Sequence, residues 1–291
     1  RYEHTRVTTH GFDYDPDTET LSPQTSERDY GRFFPMLHAR YTLSPRTNLR
    51  AAFTTAIARP NFFDLVPYRI RDDEDLEVGN PDLDATTSVN GDVMIEHYDD
   101  RIGVLSAGVY YKRLTDPIFF FTEDNDFGGE TTQPRNGESG WIRGIELAVQ
   151  QQLRFLPGAL SGLGIYANYT FTDSEATLPG GRTARLQGQA GHVFNTALSY
   201  ERSGFSGQVS ANYHADFVEE YAAEAAEDRF ADRHLQFDLS ASYRATSRAT
   251  IFLEMVNMTN EPYVAFNGVR ARPVQLEYYE RWARLGVRMS W

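Results

Sequence analysis

Apolar residues occupy every second position over most of this chain. In the C-terminal stretch RWARLGVRMSW the apolar positions are Leu285, Val287, Met289 and Trp291, with small or polar residues between them. A period of two places alternate side chains on opposite faces of a strand, whereas no segment sustains the helical period of 3.6. The pattern predicts about twelve strands, near residues 1–9, 32–43, 47–58, 87–98, 101–114, 141–152, 162–173, 189–201, 204–215, 233–244, 248–258 and 277–291.

The connections between these strands alternate strictly between long and short. The long ones cover residues 10–31, 59–86, 115–140, 174–188, 216–232 and 259–276, and the short ones cover residues 44–47, 98–101, 153–161, 202–204 and 245–248. Outer-membrane barrels combine short periplasmic turns with long extracellular loops, and their strands are about ten residues long. The sequence therefore predicts an all-β fold, an antiparallel transmembrane β-barrel with every long connection outside the cell. Within one long loop, EEYAAEAAED (219–228) has the Ala and Glu propensity for one or two helical turns.

The last predicted strand carries an expected assembly signal. Leu285, Val287 and Met289 would face lipid, and Trp291 would lie in the aromatic girdle at the membrane surface. This ending resembles the C-terminal signature of bacterial outer-membrane proteins that the barrel-assembly machinery reads. The alternative is an ordinary amphipathic last strand of a soluble β-protein.

Composition excludes several classes of function. The chain has 291 residues, a net charge of −13 and no cysteine, and its mean hydropathy is −0.51. The negative charge argues against nucleic-acid binding, which needs a basic face. The seven histidines are scattered without metal-ligand spacing, so neither a metal nor a cofactor is expected. His192 and Ser199 are about 23 Å apart along one strand, too far for a nucleophile and its base, and the chain is predicted not to be an enzyme.

Three stretches resemble one family. They are TNLRAAFTTAIARPNFFDLVPY (47–68), GNPDLDATTSVNGDVMIEHY (79–98) and SAGVYYKRLTDPIFFF (106–121). In this order and spacing they are similar to the C-terminal half of TonB-dependent outer-membrane receptors. Among subgroups the chain most resembles the proteobacterial one typified by Xanthomonas and Caulobacter receptors.

The resemblance implies a function and a set of partners. Members of the family resemble a 22-stranded barrel around an N-terminal plug, so residues 1–291 are expected to be the C-terminal portion of such a barrel, with the plug and the signal peptide absent from this chain. The implied function is TonB-coupled uptake of a scarce small-molecule ligand, a saccharide or a ferric siderophore, in the cell outer membrane. The TonB–ExbB–ExbD system would act through the missing plug. The alternative is a passive 12-stranded pore or structural barrel.

Three long loops hold the candidate ligand contacts, which are Asp64, Tyr68, Asn80, Asp82, Asp126, Phe127 and Tyr221. Residues 69–84 are acidic enough to hold Ca²⁺, but they lack a fixed ligand spacing, so a solvated acidic loop is favoured. Aromatic rings beside acids in residues 116–129 suit sugar rings, although a membrane girdle is preferred for Phe119 to Phe121, with Phe127 left open. Residues 219–230 are interpreted as a solvated loop tip.

Overall fold

The computed structural model describes residues 1–15, 20–99 and 103–290, almost all of them in strands and turns. Two short 3₁₀ helices, Phe63–Leu65 and Gly158–Gly162, lie in connections. Within the described ranges no helix is long and apolar enough to cross a membrane. The strands are β1 (Tyr2–Asp15), β2 (Thr20–Phe33), β3 (Met36–Ser44), β4 (Thr47–Ala58), β5 (Arg69–Asp72), β6 (Asp75–Val78), β7 (Thr86–Asp99), β8 (Gly103–Thr115), β9 (Ile118–Asp124), β10 (Glu130–Asn136), β11 (Ser139–Gln152), β12 (Leu163–Thr177), β13 (Thr183–Ala184), β14 (His192–Arg202), β15 (Phe205–His214), β16 (Phe217–Ala222), β17 (Arg229–Ala231), β18 (His234–Arg244), β19 (Ala249–Val256), β20 (Tyr263–Asn267), β21 (Pro273–Glu277) and β22 (Trp282–Met289).

Eleven long strands form one antiparallel sheet, which we call the wall sheet. Its order is β3-β4-β7-β8-β11-β12-β14-β15-β18-β19-β22, and the short β13 pairs with β12. Each strand therefore pairs with the next long strand along the chain. Eleven of the twelve predicted strands are in this sheet, which confirms the all-β antiparallel fold. The sheet is not closed, because within the described residues β3 pairs only with β4 and β22 only with β19.

The wall sheet has one apolar and one polar face. Val209 of β15 lies between Leu198 and Leu239 in the register of its two neighbours, and Gln208 lies between Ser199 and Ser240. The apolar side chains are nevertheless exposed, Leu198 by 53% and Val209 by 44%. An apolar surface that continues across several strands is unfavourable in water, whereas it is favourable in contact with lipid hydrocarbon. The alternation in the sequence therefore separates a lipid-facing side from a polar inner side.

The predicted alternation of long and short connections is confirmed from β3 onwards, although the predicted short connection 98–101 lies partly outside the described residues. Ser203 and Gly204 make a two-residue turn between β14 and β15, with φ angles of 51° and 83°. Positive φ at both central residues is typical of a type I′ hairpin turn, whose twist matches that of the flanking strands. The long connections all leave the opposite end of the wall sheet, here called the loop end.

The long connections form a second sheet that the sequence pattern did not predict. Its eight strands have the order β21-β20-β17-β16-β9-β10-β6-β5 and come from four different connections. Two of the joints between connections are parallel, with Tyr221 opposite Phe121 and Thr131 opposite Leu76. The helical turns for which residues 219–228 have the propensity are not formed, because Val218 and Tyr221 place their side chains in the apolar core beside this loop sheet. Residues 223–227 form the exposed tip.

The N-terminal segment departs from the prediction. Residues 1–9 were expected to form a wall strand, but β1 pairs with β2 in a separate hairpin that runs through most of the predicted loop 10–31. This hairpin contacts the connection between β4 and β7. The Thr9 hydroxyl donates to the carbonyl of Leu65 at 3.1 Å, and the Arg28 guanidinium contacts the Asp84 carboxylate at 2.7 Å.

Candidate ligand-binding site

Asp64 and Asn80 hold the connection after β4 together. The backbone N–H of Asn80 donates to the carbonyl of Asp64 at 2.7 Å, and the Asn80 side-chain amide donates to the carbonyl of Pro134 at 2.9 Å. Gly79 is needed beside them, since a Cβ there would lie 1.9 Å from the Val66 carbonyl oxygen. Asp64 is buried, and burial raises the pKa of its carboxyl. These predicted site residues therefore form the scaffold of the loop.

Tyr68 and Asp82 lie on the same connection with different surroundings. The Tyr68 hydroxyl donates to Glu77 at 2.8 Å, and its ring is 4.5 Å from that of Phe63. Burial and the Glu77 carboxylate both raise the pKa of Tyr68. Asp82 is exposed, with Arg28 3.9 Å away. Asp82 is therefore more accessible to solvent than Tyr68.

Asp126 and Phe127 lie at the tip of the hairpin between β9 and β10. The Asn125 side-chain oxygen accepts a hydrogen bond from the backbone N–H of Phe127 at 2.9 Å, which shapes the turn. Both residues are exposed, and the Arg71 guanidinium lies 4.4 Å from the centre of the Phe127 ring. This tip is therefore an accessible aromatic and acidic surface.

Tyr221 is a core residue. It is 1% exposed, its hydroxyl donates to the carbonyl of Arg185, and its ring meets that of Phe119 edge to face at 5.4 Å. The expectation that Tyr221 belongs to a solvated tip is wrong, because its ring fills the space between two connections. The expected membrane girdle at Phe119 to Phe121 is wrong for Phe119, which is 2% exposed, whereas Phe120 is 44% exposed. These residues are in β9 of the loop sheet, where Phe119 is buried.

One polar cavity at the loop end was not among the predicted sites. It has a volume of about 600 Å³ and lies beside β16, β17, β20 and β21. Its lining includes Phe217, Glu219, Arg229, Tyr263, Gln275 and Tyr279. Gln187 and Gly188 also line it, so the lining comes from three connections and none of these segments alone showed the site. The sequence signal for this cavity was the aromatic and acidic composition of residues 217–220. Interpreting residues 219–230 as a solvated loop tip did not use that signal.

A hydrogen-bond network fixes the polar side chains of this cavity. The Arg229 guanidinium donates to Glu219 at 3.1 Å and also to the Gln275 side-chain oxygen. The Tyr263 hydroxyl donates to the other oxygen of Glu219. A network that fixes its side chains in this way presents donors, acceptors and ring faces in one arrangement, which is what a small-molecule site requires. Across the described ranges, no group of three or more His, Asp and Glu is placed to hold a metal ion.

The family model for the β-barrel of TonB-dependent receptor-like proteins matches residues 1–258. The chain belongs to this family. Proteins of the family are outer-membrane β-barrels that serve as transport receptors and not as enzymes, which agrees with the predicted class, location and fold. The predicted subgroup stays a prediction. No curated protein matches the chain.

Solved structures with the same fold cover nearly all of the chain. The ferric yersiniabactin uptake receptor FyuA from Yersinia pestis has a TM-score of 0.68 and 13% identity, over 99% of this chain and 42% of its own. The ferric-catecholate import receptor Fiu from E. coli K12 has a TM-score of 0.66 and 16% identity, over 98% and 40%. A mutant of the ferric enterobactin receptor PfeA from Pseudomonas aeruginosa has a TM-score of 0.62 and 17% identity, over 97% and 42%. The chain spans about two fifths of the length of these receptors, and at this identity the likeness shows the fold alone.

Proposed function

We propose that this chain is the C-terminal portion of the barrel of an outer-membrane receptor that imports a scarce small molecule. The observation that carries the proposal is the loop sheet. Four connections are joined edge to edge beside a polar cavity at one end of a lipid-facing wall. A receptor needs such a preorganised ligand surface, whereas a passive pore does not.

Import by receptors of this family implies a source of energy and a plug domain that precedes the barrel in the sequence. We propose that the parent protein carries a plug before residue 1 and that the TonB–ExbB–ExbD system acts through it. The open wall sheet supports this proposal. Unpaired strand edges in lipid cost several kcal/mol per backbone group, so β3 and β22 need further strands beside them. A complete 12-stranded pore would instead pair these two strands with each other.

The two ligand classes that we propose for this receptor are saccharides and ferric siderophores. The similar solved structures are named as siderophore receptors, which supports the second class. Among the predicted contacts, Asp82, Asp126 and Phe127 are exposed and are proposed to meet the ligand. Asp64, Tyr68, Asn80 and Tyr221 are proposed to hold the loops in place.

We propose that the lipid-facing side chains of the last strand, β22, form the assembly signal. Leu285, Val287 and Met289 of β22 are exposed on the lipid-facing side, where the outer-membrane lipid and the barrel-assembly machinery would meet them. Trp291, the fourth residue of the predicted signal, lies outside the described residues.

Uptake by cells tests the proposed function. A strain that lacks the gene would be compared with one that expresses the full-length gene product, using siderophores loaded with radioactive iron and radioactive oligosaccharides as probes. We expect saturable accumulation of at least one probe, which a protonophore abolishes. Accumulation that rises linearly with probe concentration and survives the protonophore would instead indicate the passive pore.

A further inference from the structure

The charge of this chain is concentrated at the loop end. Five connections there, residues 59–85, 116–138, 178–191, 215–233 and 257–281, hold 24 Asp and Glu against 11 Arg. Their net charge of −13 equals that of the whole chain, so the remaining residues, with 17 acidic and 17 basic side chains, are neutral together. The net negative charge of this chain is therefore located in the loop-end connections, where we propose that the ligand binds.

Several arginines at this end are already paired with carboxylates. The pairs are Arg135 with Glu123, Arg182 with Asp228, Arg229 with Glu219, and Arg270 with Asp216 and Asp232. An arginine that binds an anionic ligand must present its guanidinium free or exchange one carboxylate for another. These paired arginines hold the connections together and do not offer an anion site.

The cavity beside β16 and β20 has an excess of negative charge. Arg229 compensates Glu219, but Glu220 also lines the cavity and is exposed. At its rim, hydrogen bonds from Tyr279 and Gln275 lower the pKa of Glu277, which keeps that carboxylate ionised at neutral pH. Three carboxylates, those of Glu219, Glu220 and Glu277, thus lie around this pocket, whose described lining includes one guanidinium, that of Arg229, which interacts with both Glu219 and Glu220.

Aromatic rings line the same cavity. Phe217 and Tyr263 are partly buried in its wall, and the Tyr279 ring is among the most exposed in the described part of the chain. The face of an aromatic ring attracts a cation that lies within about 6 Å of its centre. Carboxylates beside exposed ring faces are therefore suited to a positively charged group.

We infer that this cavity accepts a cationic small molecule and that the loop end disfavours anionic ones. The inference rests on the proposed function and narrows its ligand to one charge class. Iron(III) bound by three catecholates is an anion, so the match in fold to ferric-catecholate receptors does not extend to their charge requirement. A cleft of one sign raises the on-rate of an oppositely charged ligand by about 10- to 1,000-fold, and salt removes this effect.

Three probes that share one scaffold and carry a positive, a neutral or a negative group at the same position test the inference. They are fluorescent maltotrioses with a trimethylammonium group, a hydroxyl or a sulfonate at the same position, and they would be titrated into the purified full-length receptor. In about 0.01 M salt, where the screening length is about 30 Å, we expect the trimethylammonium probe to bind at least ten times more tightly than the sulfonate probe. In about 1 M salt the ratio should fall below about three.

Two charge-neutralising variants of one connection locate the effect. Glu220→Gln removes a charge that lines the cavity, and Glu224→Gln removes a charge from the exposed tip nearby. Glu220→Gln should weaken binding of the trimethylammonium probe about fivefold and leave the hydroxyl probe unchanged, while Glu224→Gln should change neither by more than about twofold, since its charge is more screened.

Two binding results would overturn the inference, and so would one uptake result. One is binding of the sulfonate probe as tight as that of the trimethylammonium probe in low salt. The other is the absence of binding by all three probes up to millimolar concentration. Energy-dependent uptake of any anionic siderophore by the same cells would reject the charge class while leaving the proposed importer intact.

Discussion

The ion pair between Arg182 and Asp228 is predicted to control the stability of the loop end. Its two parallel hydrogen bonds are 2.8 and 2.9 Å long, and Arg182 also donates to the carbonyl of Ala222 at 3.0 Å. The Asp228 side chain is 6% exposed and that of Arg182 is 25% exposed. Removing one partner of a buried pair costs about 3–5 kcal/mol. Because water reaches Arg182, we take a smaller cost than that of a fully buried pair, about 2–3 kcal/mol, for Asp228→Ala.

Hydrogen exchange measures this cost locally. A loss of 2–3 kcal/mol in opening free energy corresponds to about 30- to 160-fold faster exchange of backbone amides in β16 and in residues 182–186. The matched control is Asp216→Ala on the same connection, whose pair with Arg270 has side chains 42% and 49% exposed. An exposed pair contributes about 0–1 kcal/mol, so the control should change exchange less than about fivefold. Equal effects of the two variants would refute the reasoning from burial.

Three further predictions concern topology, the lipid face and pH. Cysteine at Asp126 should react with an impermeant thiol reagent on intact cells and cysteine at Ser203 should not; equal labelling would reject the topology. Val209→Arg puts a charge on the lipid face and should lower the amount of heat-modifiable barrel, at a cost of about 2–4 kcal/mol, whereas Gln208→Arg on the inner face should not; similar yields would contradict the assignment of faces. Burial raises the pKa of Asp64, so the folded state favours the neutral carboxyl: its contribution to stability is full below the ordinary pKa and is lost as the pH rises. Asn stays neutral at every pH, and Asp64→Asn should therefore slow hydrogen exchange around residues 63–65 at pH 7. That advantage should vanish below about pH 4, and an advantage that persists there would point to another cause.

The wall sheet could be predicted because one physical constraint acts on each of its strands. A residue such as Val209 faces lipid and its neighbour Gln208 faces the polar interior, so apolar and polar residues alternate along each strand and the pattern is visible in the local sequence. The positions of the turns follow from the same pattern. The cost of placing a polar group in hydrocarbon leaves little freedom in register.

The loop sheet could not be predicted, since its strands are short and their partners lie on other connections. Tyr221 is buried because Phe119 packs against it from a segment about one hundred residues earlier in the chain. Its local neighbours, EEYAAEAAED, favoured a helix on propensity alone. The cavity was missed for the same reason, because Glu219 and Gln275 meet through Arg229 only after the connections have paired.

The parallel pairing of β16 with β9 limits how the loops can be exchanged between receptors. Each strand supplies hydrogen-bond partners to a strand from another connection, so a connection transplanted alone into a different barrel would leave backbone groups without partners on both sides. A graft intended to transfer ligand preference would have to carry residues 59–85, 116–138, 215–233 and 257–281 together. Natural variation should show the same dependence, with substitutions at Phe121 accompanied by changes opposite it at Tyr221.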